Sequence, residues 1–394
     1  MTHHTPDTTT ITMALELLTE HGFDGIAPAF EILLNEAMQI ERSAFLRAAP
    51  HERSEDRRGY ANGFRPKTMK SRLGELQLSI PRVRGLADDD DKGFYPKALE
   101  RGERSERALK LTVAQMYVEG VSTRKVTAIT QELCGLEITS SQVSRAAKLL
   151  DEEIAAWRNR ALGECRYLVL DARYEKVRHG GSVIDCAVLL AVGVGVDGKR
   201  TILGVSAALS EAEVHWRSFL EDLRKRGLFG MHMITSDDHS GLRAALRAVF
   251  PNVPWQRCQF HLQQNAQGYV PQVAMRKSVA QDIRDVFNSP NREEADRLLA
   301  LACDKYSESA PELAHWMESN IHEGLTVFQL PAAHRRRLRT SNVLERLNRE
   351  IKRRTRVACL FPNDASLLRL VSAVAIEIAE DWETGRIYLS MDTE

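Results

Sequence analysis

The chain lacks the features that would place it in a membrane or outside the cell. In 394 residues no apolar stretch reaches the ~18 residues of a membrane-spanning helix, so no membrane partner is expected. The opening MTHHTPDTTT has neither the basic segment nor the apolar core of a secretory signal. Cysteine is scarce: six residues, at 134, 165, 186, 258, 303 and 359, stand without framework spacing. That pattern excludes a disulfide scaffold and fits free thiols in a reducing compartment, so a cytoplasmic location is expected. Net charge is also missing, because 54 Lys and Arg balance 54 Asp and Glu. Taken alone, that balance argues against a nucleic-acid partner.

The balance is not uniform along the chain. From Arg335 to Arg356 the text RRRLRTSNVLERLNREIKRRTR holds ten basic residues against Glu345 and Glu350. Nucleic-acid affinity follows the local patch rather than the sum, so this segment restores the possibility that neutrality removed. The rest is ordinary globular composition, 43% hydrophobic and 27% charged, in a chain long enough for two or three domains.

Residues 12 to 46 carry apolar positions at helical spacing and predict about two amphipathic helices. The stretch GYANGFRPKTMKSRLGELQLSIPRVRG alternates at Leu76, Leu78 and Ile80 and predicts a short β element. ADDDDKG, from Ala87 to Gly93, predicts a solvated acidic loop. Further on, helical text from Leu109 to Glu119 breaks at Gly120, Ser122 can cap a second helix ending near Gly135, and Thr139 or Ser140 can cap a third. This arrangement is helix-turn-helix-like, with Gln142, Arg145 and Lys148 on a face offered to a DNA groove; a plain helical bundle is the alternative.

From Arg166 the period switches to strands. The order is three strands, helix, strand, helix and strand, with a turn at Asp197-Gly198 and the last strand taken as VPWQRCQFH. That is the order of an RNase H-like core, a mixed sheet flanked by helices. Some eighty helical residues follow His261, with Ser289 and Pro290 marking one helix start and Ser309-Ala310-Pro311 another. The expected division is therefore a helical region with a short β element at 1–100, the helix-turn-helix-like domain at 101–160, and the first part of the core at 161–262. An all-helical insertion occupies 263–335, and the C-terminal helices of the core occupy 336–394.

Two acids stand where apolar runs end: Asp171 in LVLDAR, and Asp237 in MITSDDHSGL. A carboxylate there is costly unless it is paired or holds a cation, and ligands collect at such strand ends in open α/β sheets. With a third acid from a helix, two such residues can hold Mg²⁺ for phosphoryl transfer. Glu345 is the candidate. Leu344, Leu347 and Ile351 form the buried stripe of its helix, while Glu345, Arg349, Lys352 and Arg356 share an exposed face with Asn348 at its edge. Asn342 three residues before Glu345 also fits a capping box, and spacing alone favours that plainer role.

The segments LVLDARYEKVR, ITSDDHSGL, WQRCQFHLQQNA and RTSNVLERLNREIKRRTRVACLFPN together resemble the mutator-type family of bacterial insertion-sequence transposases. The likeness extends to ERSEDRRGYANGFRPKTMKSRLGELQLSIPRVRG, to EGVSTRKVTAIT and SSQVSR, and to the closing RLVSAVAIEIAEDWETGRIYL, in the family's order. It implies an RNase H-like α/β catalytic core interrupted by a helical insertion, preceded by mainly helical N-terminal DNA-binding domains. It implies DDE chemistry by Asp171, Asp237 and Glu345 with Mg²⁺, for which Mn²⁺ substitutes: strand cleavage frees a 3′-OH that is then joined to a target. The family's C-x-x-H signature falls on Cys258 and His261, expected on the strand before the insertion and in support of the active site; a zinc site fails for want of a second ligand pair. Arg346, Arg349, Lys352, Arg353 and Arg356 are expected to hold phosphates. The implied partners are double-stranded DNA, as terminal inverted repeats and target, and a second copy of the chain in a dimeric or larger synaptic complex. Asp238 departs from the small residue or glycine usual there, and is expected to cap the next helix or face solvent. The acidic loop at Asp88 to Asp91 is longer than the usual spacer. Trp316 reads as a core residue, with stacking on an extruded base as its functional alternative. Two other functions remain open, a DNA-binding regulator that keeps the fold without chemistry, and a different RNase H-like nuclease.

Overall fold

The computed structural model describes residues 8–86, 94–99, 101–385 and 387–391, so the acidic loop lies outside the described residues. The chain divides into two compact units, Met1–Tyr117 with Val121–Leu150, and Val118–Gly120 with Asp151–Glu394.

In the first unit, helices α1 (Thr8–His21) and α2 (Ile26–Leu46) precede a hairpin of β1 (Tyr60–Ser71) and β2 (Gly74–Arg84). The alternation expected of β2 is realised: Leu76, Leu78 and Ile80 point inward against Met38 of α2, while Glu75, Gln77 and Ser79 face water. Three helices follow, α3 (Arg107–Val118), α4 (Thr123–Cys134) and α5 (Ser140–Ala147). Their boundaries come from capping chemistry. The Ser122 side chain accepts from Lys125 N–H at the start of α4, Gly135 closes it at φ +66°, and Thr139 with Gln142 forms a full capping box on α5.

The second unit opens with α6 (Asp151–Arg158) and a sheet of β3 (Cys165–His179), β4 (Ser182–Gly195) and β5 (Arg200–Ala208). Then come α7 (Glu213–Lys225), β6 (Met233–Ser236), α8 (Ser240–Val249) and β7 (Trp255–Arg257). Strand order is β5-β4-β3-β6-β7, with β3, β4 and β5 antiparallel and β6 and β7 parallel to β3. The mixed sheet and its order of elements are those the sequence predicts. At the β4–β5 turn Gly198 has φ +72°, and a Cβ there would meet the Leu389 carbonyl at 1.9 Å, so only glycine fits.

Beyond β7 lie α9 (Gln259–Ala266), α10 (Arg276–Phe287), α11 (Arg292–Tyr306) and α12 (Pro311–Asn320), packed on their own core around Val279, Ile283, Leu313 and Met317. The start of α11 differs from expectation. Asn291 is its cap, whereas the Ser289 hydroxyl bonds back to the carbonyls of Asp285 and Val286 and closes α10. Trp316 is a core residue, stacked on Tyr269 at 5.4 Å. Finally α13 (Ala332–Leu338), α14 (Asn342–Ala358) and α15 (Asp364–Glu383) return to the sheet. One face of the sheet packs on α14 and α15 through Val169, Leu190 and Val205; the other packs on α7 and α8 through Leu168, Leu170 and Leu189. Each fully buried aliphatic side chain in these layers contributes roughly 1.5–3 kcal/mol.

Candidate active site

Strand β6 pairs with β3 only from Tyr167 to Val169. Continuing that register two residues brings Asp237 level with Asp171, just past the last pair. Asp171 is not at a strand end, as its apolar run suggested. β3 continues to His179 because β4 pairs with it throughout, and only the buried stretch and the parallel neighbour stop at Asp171.

The Asp171 carboxylate accepts two hydrogen bonds, from its neighbour Ala172 N–H at 3.0 Å and from Asn348 Nδ2 on α14 at 2.7 Å. Burial, and next the charge of Asp237, push its pKa from the ordinary 3.8 up to about 6, while His261 and the two hydrogen bonds pull the other way. Two carboxylates thus share a site whose field is short of positive charge. The Oδ1 of Asn348 is buried there without a partner among the described residues. A hard divalent cation suits this set of oxygens, offsetting the paired negative charge and giving the orphaned amide oxygen something to face.

Helix α14 is fixed against β3 at several points. Leu344, Leu347 and Ile351 are fully buried, as their spacing predicts. The Arg173 guanidinium donates to the Asn348 carbonyl and pairs with Glu175, which accepts from Thr355 Oγ1 at 3.0 Å. Beyond the helix, Phe361 exchanges backbone hydrogen bonds with Lys176 and Arg178 of β3.

Glu345 lies in the first turn of α14, but Ser341 is the cap residue and makes no side-chain cap bond; Asn342 is already helical. The capping box that spacing favoured does not form. Nor is Glu345 gathered with the aspartates: its side chain is 65% exposed and faces Arg349 at 3.5 Å. Among the described residues no group of three or more His, Cys, Asp or Glu stands close enough to hold a metal. The structure therefore brings Asp171 and Asp237 together, and the residue of α14 that reaches them is Asn348, one turn beyond Glu345.

Cys258 and His261 are not on a strand. β7 ends at Arg257, Cys258 caps α9, and His261 follows in its first turn, where a spacing of three puts the two side by side. Burial pushes the Cys258 thiol up, but interactions with His261 and the Ser341 N–H outweigh it and hold its pKa below the ordinary value. His261 is raised, first by Cys258, against burial, and further by Asp171 and Asp237. Because Ser341 N–H donates to Cys258 Sγ at 3.5 Å, the C-x-x-H pair joins the first helix after β7 to the start of α14.

Asp238 neither caps α8 nor faces solvent freely. It pairs with Arg243 at 2.9 Å and Arg257 at 3.0 Å, both of which also pair with Glu323 at 2.9 Å. The Arg257 side chain is only 4% exposed, so the second acid of MITSDDHSGL neutralises a buried guanidinium. Of the basic residues on α14, Arg346 pairs with Asp381, Arg349 with Glu345 and Arg353 with Glu350, all near the surface where such pairs are worth about 0–1 kcal/mol. Lys352 and Arg356 are exposed and have no partner among the described residues. In the first unit, Gln142 is half-buried and its Oε1 accepts from Thr139 N–H, so the residue read as groove-facing secures its own helix; Arg145 and Lys148 are exposed.

Sequence reading missed Asn348, Arg173, Glu175 and Arg257 as members of the site's support. Asn348 carried a signal, a polar residue at the boundary of the buried stripe and three residues after Glu345. The others act through tertiary contacts that spacing does not encode.

Comparison with known proteins gives one answer along the whole chain. The family model for transposases of the Mutator family matches residues 2–385. The transposase for insertion sequence element IS406 of Burkholderia multivorans is 55% identical over 388 residues, 98% of each chain. That for ISRM5 of Rhizobium meliloti is 43% identical over 370 residues, 94% of this chain and 91% of the relative. That for IS256 in transposon Tn4001 of Staphylococcus aureus is 35% identical over 369 residues, 91% and 92%. With its sheet, its paired aspartates and its basic helix all lying inside the matched span, this chain belongs to the Mutator family of insertion-sequence transposases.

Proposed function

We propose that the chain is an active DDE transposase with an RNase H-like core, which binds the terminal inverted repeats of its own element and cleaves and joins DNA strands. The observation that carries this reading is the Asp171–Asp237 pair, Asp171 on β3 and Asp237 just past the end of the adjacent β6, where burial and then the charge of Asp237 raise the Asp171 pKa to about 6. Asp171 and Asp237 would hold Mg²⁺, or Mn²⁺ in its place, with Glu345 as the third acid. When bound, the cation supplies Lewis-acid polarisation of the scissile phosphate. Asn348 orients Asp171 through its 2.7 Å bond, and Cys258 with His261 holds the start of α14 beside the aspartates. Lys352 and Arg356 neutralise flanking phosphates, and Arg346, Arg349 and Arg353 exchange weak surface pairs for phosphate contacts. Arg145 and Lys148 would meet DNA in the helix-turn-helix-like part, and synapsis of two ends would require a second copy of the chain.

Purified protein with DNA carrying the element's ends should nick and join strands in Mg²⁺, and Asp171→Ala should abolish this. Cleavage by Asp171→Ala at the wild-type rate would refute the assignment. A second reading, a DNA-binding regulator without chemistry, is favoured by one observation, the pairing of Glu345 with Arg349 away from the aspartates. It predicts metal-independent binding of the repeats and no cleavage by the wild type in the same assay.

A further inference from the structure

β5 forms one edge of the sheet. The carbonyls of Ile202 and Leu203 are covered by the guanidinium groups of Arg160 and Arg226. From Gly204 to Ala208 the strand instead borders an open cleft of about 340 Å³, lined on its other sides by α7 and the end of α6. Its polar walls are Arg158, Asn159, Ser206, His215, Ser218 and Asp222. Asp222 is claimed by Arg226 at 3.0 Å, and the remaining donors of Arg226 go to the carbonyls of Arg158 and Leu203 at 2.6 Å each. Arg158 is different. It is half-buried, burial draws its pKa down against the opposing field of Asp222, and its guanidinium has no hydrogen bond or ion pair to any described residue. Its place in the last turn of α6 suits the helix dipole, but does not account for a polar cleft in front of it. With Arg226 and Asp222 cancelling, the cleft carries one uncompensated positive charge, surrounded by two hydroxyls, an amide and an imidazole.

We propose that this cleft is an anion site for a single phosphate group, a phosphodiester of the DNA backbone, held by Arg158 with Ser206, Ser218, Asn159 and His215. A phosphodiester has one negative charge and several acceptor oxygens, matching one free guanidinium and donors on facing walls. The identification of DNA as the source rests on the function proposed above. Val205 pairs with Leu190, and Leu190 with Asp171, so the cleft lies level with Asp171 and two strands away, about 10 Å along the sheet. It opens on the α7 side, whereas Asp171 faces α14. A phosphate bound there belongs to a different stretch of DNA backbone from one on the α14 cations.

The test uses the full chain, as wild type, Arg158→Ala and Arg158→Lys, with duplex carrying the element's ends. Binding is measured as salt rises from about 50 to about 200 mM, where each lost phosphate contact lowers the slope of log K against log salt by about 0.9. In parallel, thermal melting is compared in inorganic phosphate and in chloride of equal ionic strength, the chloride melts also verifying that the variants fold. A slope lower by about 0.9 in Arg158→Ala and restored in Arg158→Lys supports the DNA phosphate. An unchanged slope with a phosphate-dependent rise in melting temperature that Arg158→Ala loses supports the anion site but overturns DNA as its source. No change in either measurement overturns the site. If wild type binds no DNA, the proposed function fails on its own, and the phosphate melt still decides the cleft.

Discussion

Replacing Asp171 by asparagine should stabilise the protein at neutral pH while removing its strand chemistry. A carboxyl whose folded pKa lies above its unfolded value binds more protons folded than unfolded. Stability therefore falls as pH rises through the window from 3.8 to about 6, and the full penalty is present above it. A shift of this size is on the order of 3 kcal/mol at neutral pH. Part of that is offset in the variant: Asp171 accepts from both Ala172 N–H and Asn348 Nδ2, and an amide offers only one oxygen, so one donor is left facing an NH₂ group at a cost of about 1 kcal/mol. The pH dependence is free of that offset. Between about pH 5 and about pH 8 the wild type should lose about 1.5 kcal/mol relative to Asp171→Asn. Urea unfolding of both proteins at the two pH values, in chelator, reads the difference directly. A gap that does not change with pH, or one that narrows as pH rises, would refute the strained pair of aspartates. Adding Mg²⁺ should narrow the gap at pH 8, because the cation relieves wild-type repulsion and finds one carboxylate fewer in the variant.

Other consequences follow from the same contacts. Asn348→Ala should leave the fold intact and lower the cleavage rate about 10- to 100-fold, the usual effect of removing a group that orients a metal-binding carboxylate; single-turnover kinetics beside DNA-binding titrations measure it, and an unchanged rate would remove Asn348 from the site. Asp237→Asn should abolish cleavage without loss of stability. Asp238→Asn should instead retain chemistry and cost about 1–3 kcal/mol, since it takes one of two carboxylates from buried Arg257; comparable loss of cleavage by both variants would contradict the division of labour. Lys352→Ala and Arg356→Ala should each lower the salt slope of DNA binding by about 0.9, whatever the DNA sequence.

Much of the fold was legible because its signals are local. The period change at Arg166, the stripe of Leu344, Leu347 and Ile351, and the caps at Ser122, Gly135 and Thr139 each depend on residues within one or two turns. The failures share a different cause. VPWQRCQFH looks like one strand, yet pairing ends at Arg257 because β6 ends opposite it at Ser236, and the chain then turns into α9. Ser289 has cap chemistry, but the carbonyls it satisfies lie behind it on α10. In both, the outcome is set by where a neighbouring element stops.

The adjacent acids of MITSDDHSGL show how the insertion is made part of the site. Asp237 faces Asp171, while Asp238 turns to Arg257, whose guanidinium also takes Asn320 at the end of α12 and Glu323 just beyond it. Next to it, Gln256 and Gln259 both donate to the Gly324 carbonyl at 2.8 Å, and Gln256 accepts from Val327 N–H at 2.6 Å. Cys258 lies between those glutamines and receives the N–H of Ser341, at the head of the helix carrying Glu345 and Asn348. A run of four residues, Gln256 to Gln259, thereby fixes the end of the insertion and the start of α14 to the strand beside the aspartates. The long excursion after Asp237 returns to the aspartates at α14 because its end is tied at this seam, and the identity of each tie is a matter of buried hydrogen bonds rather than of chain length.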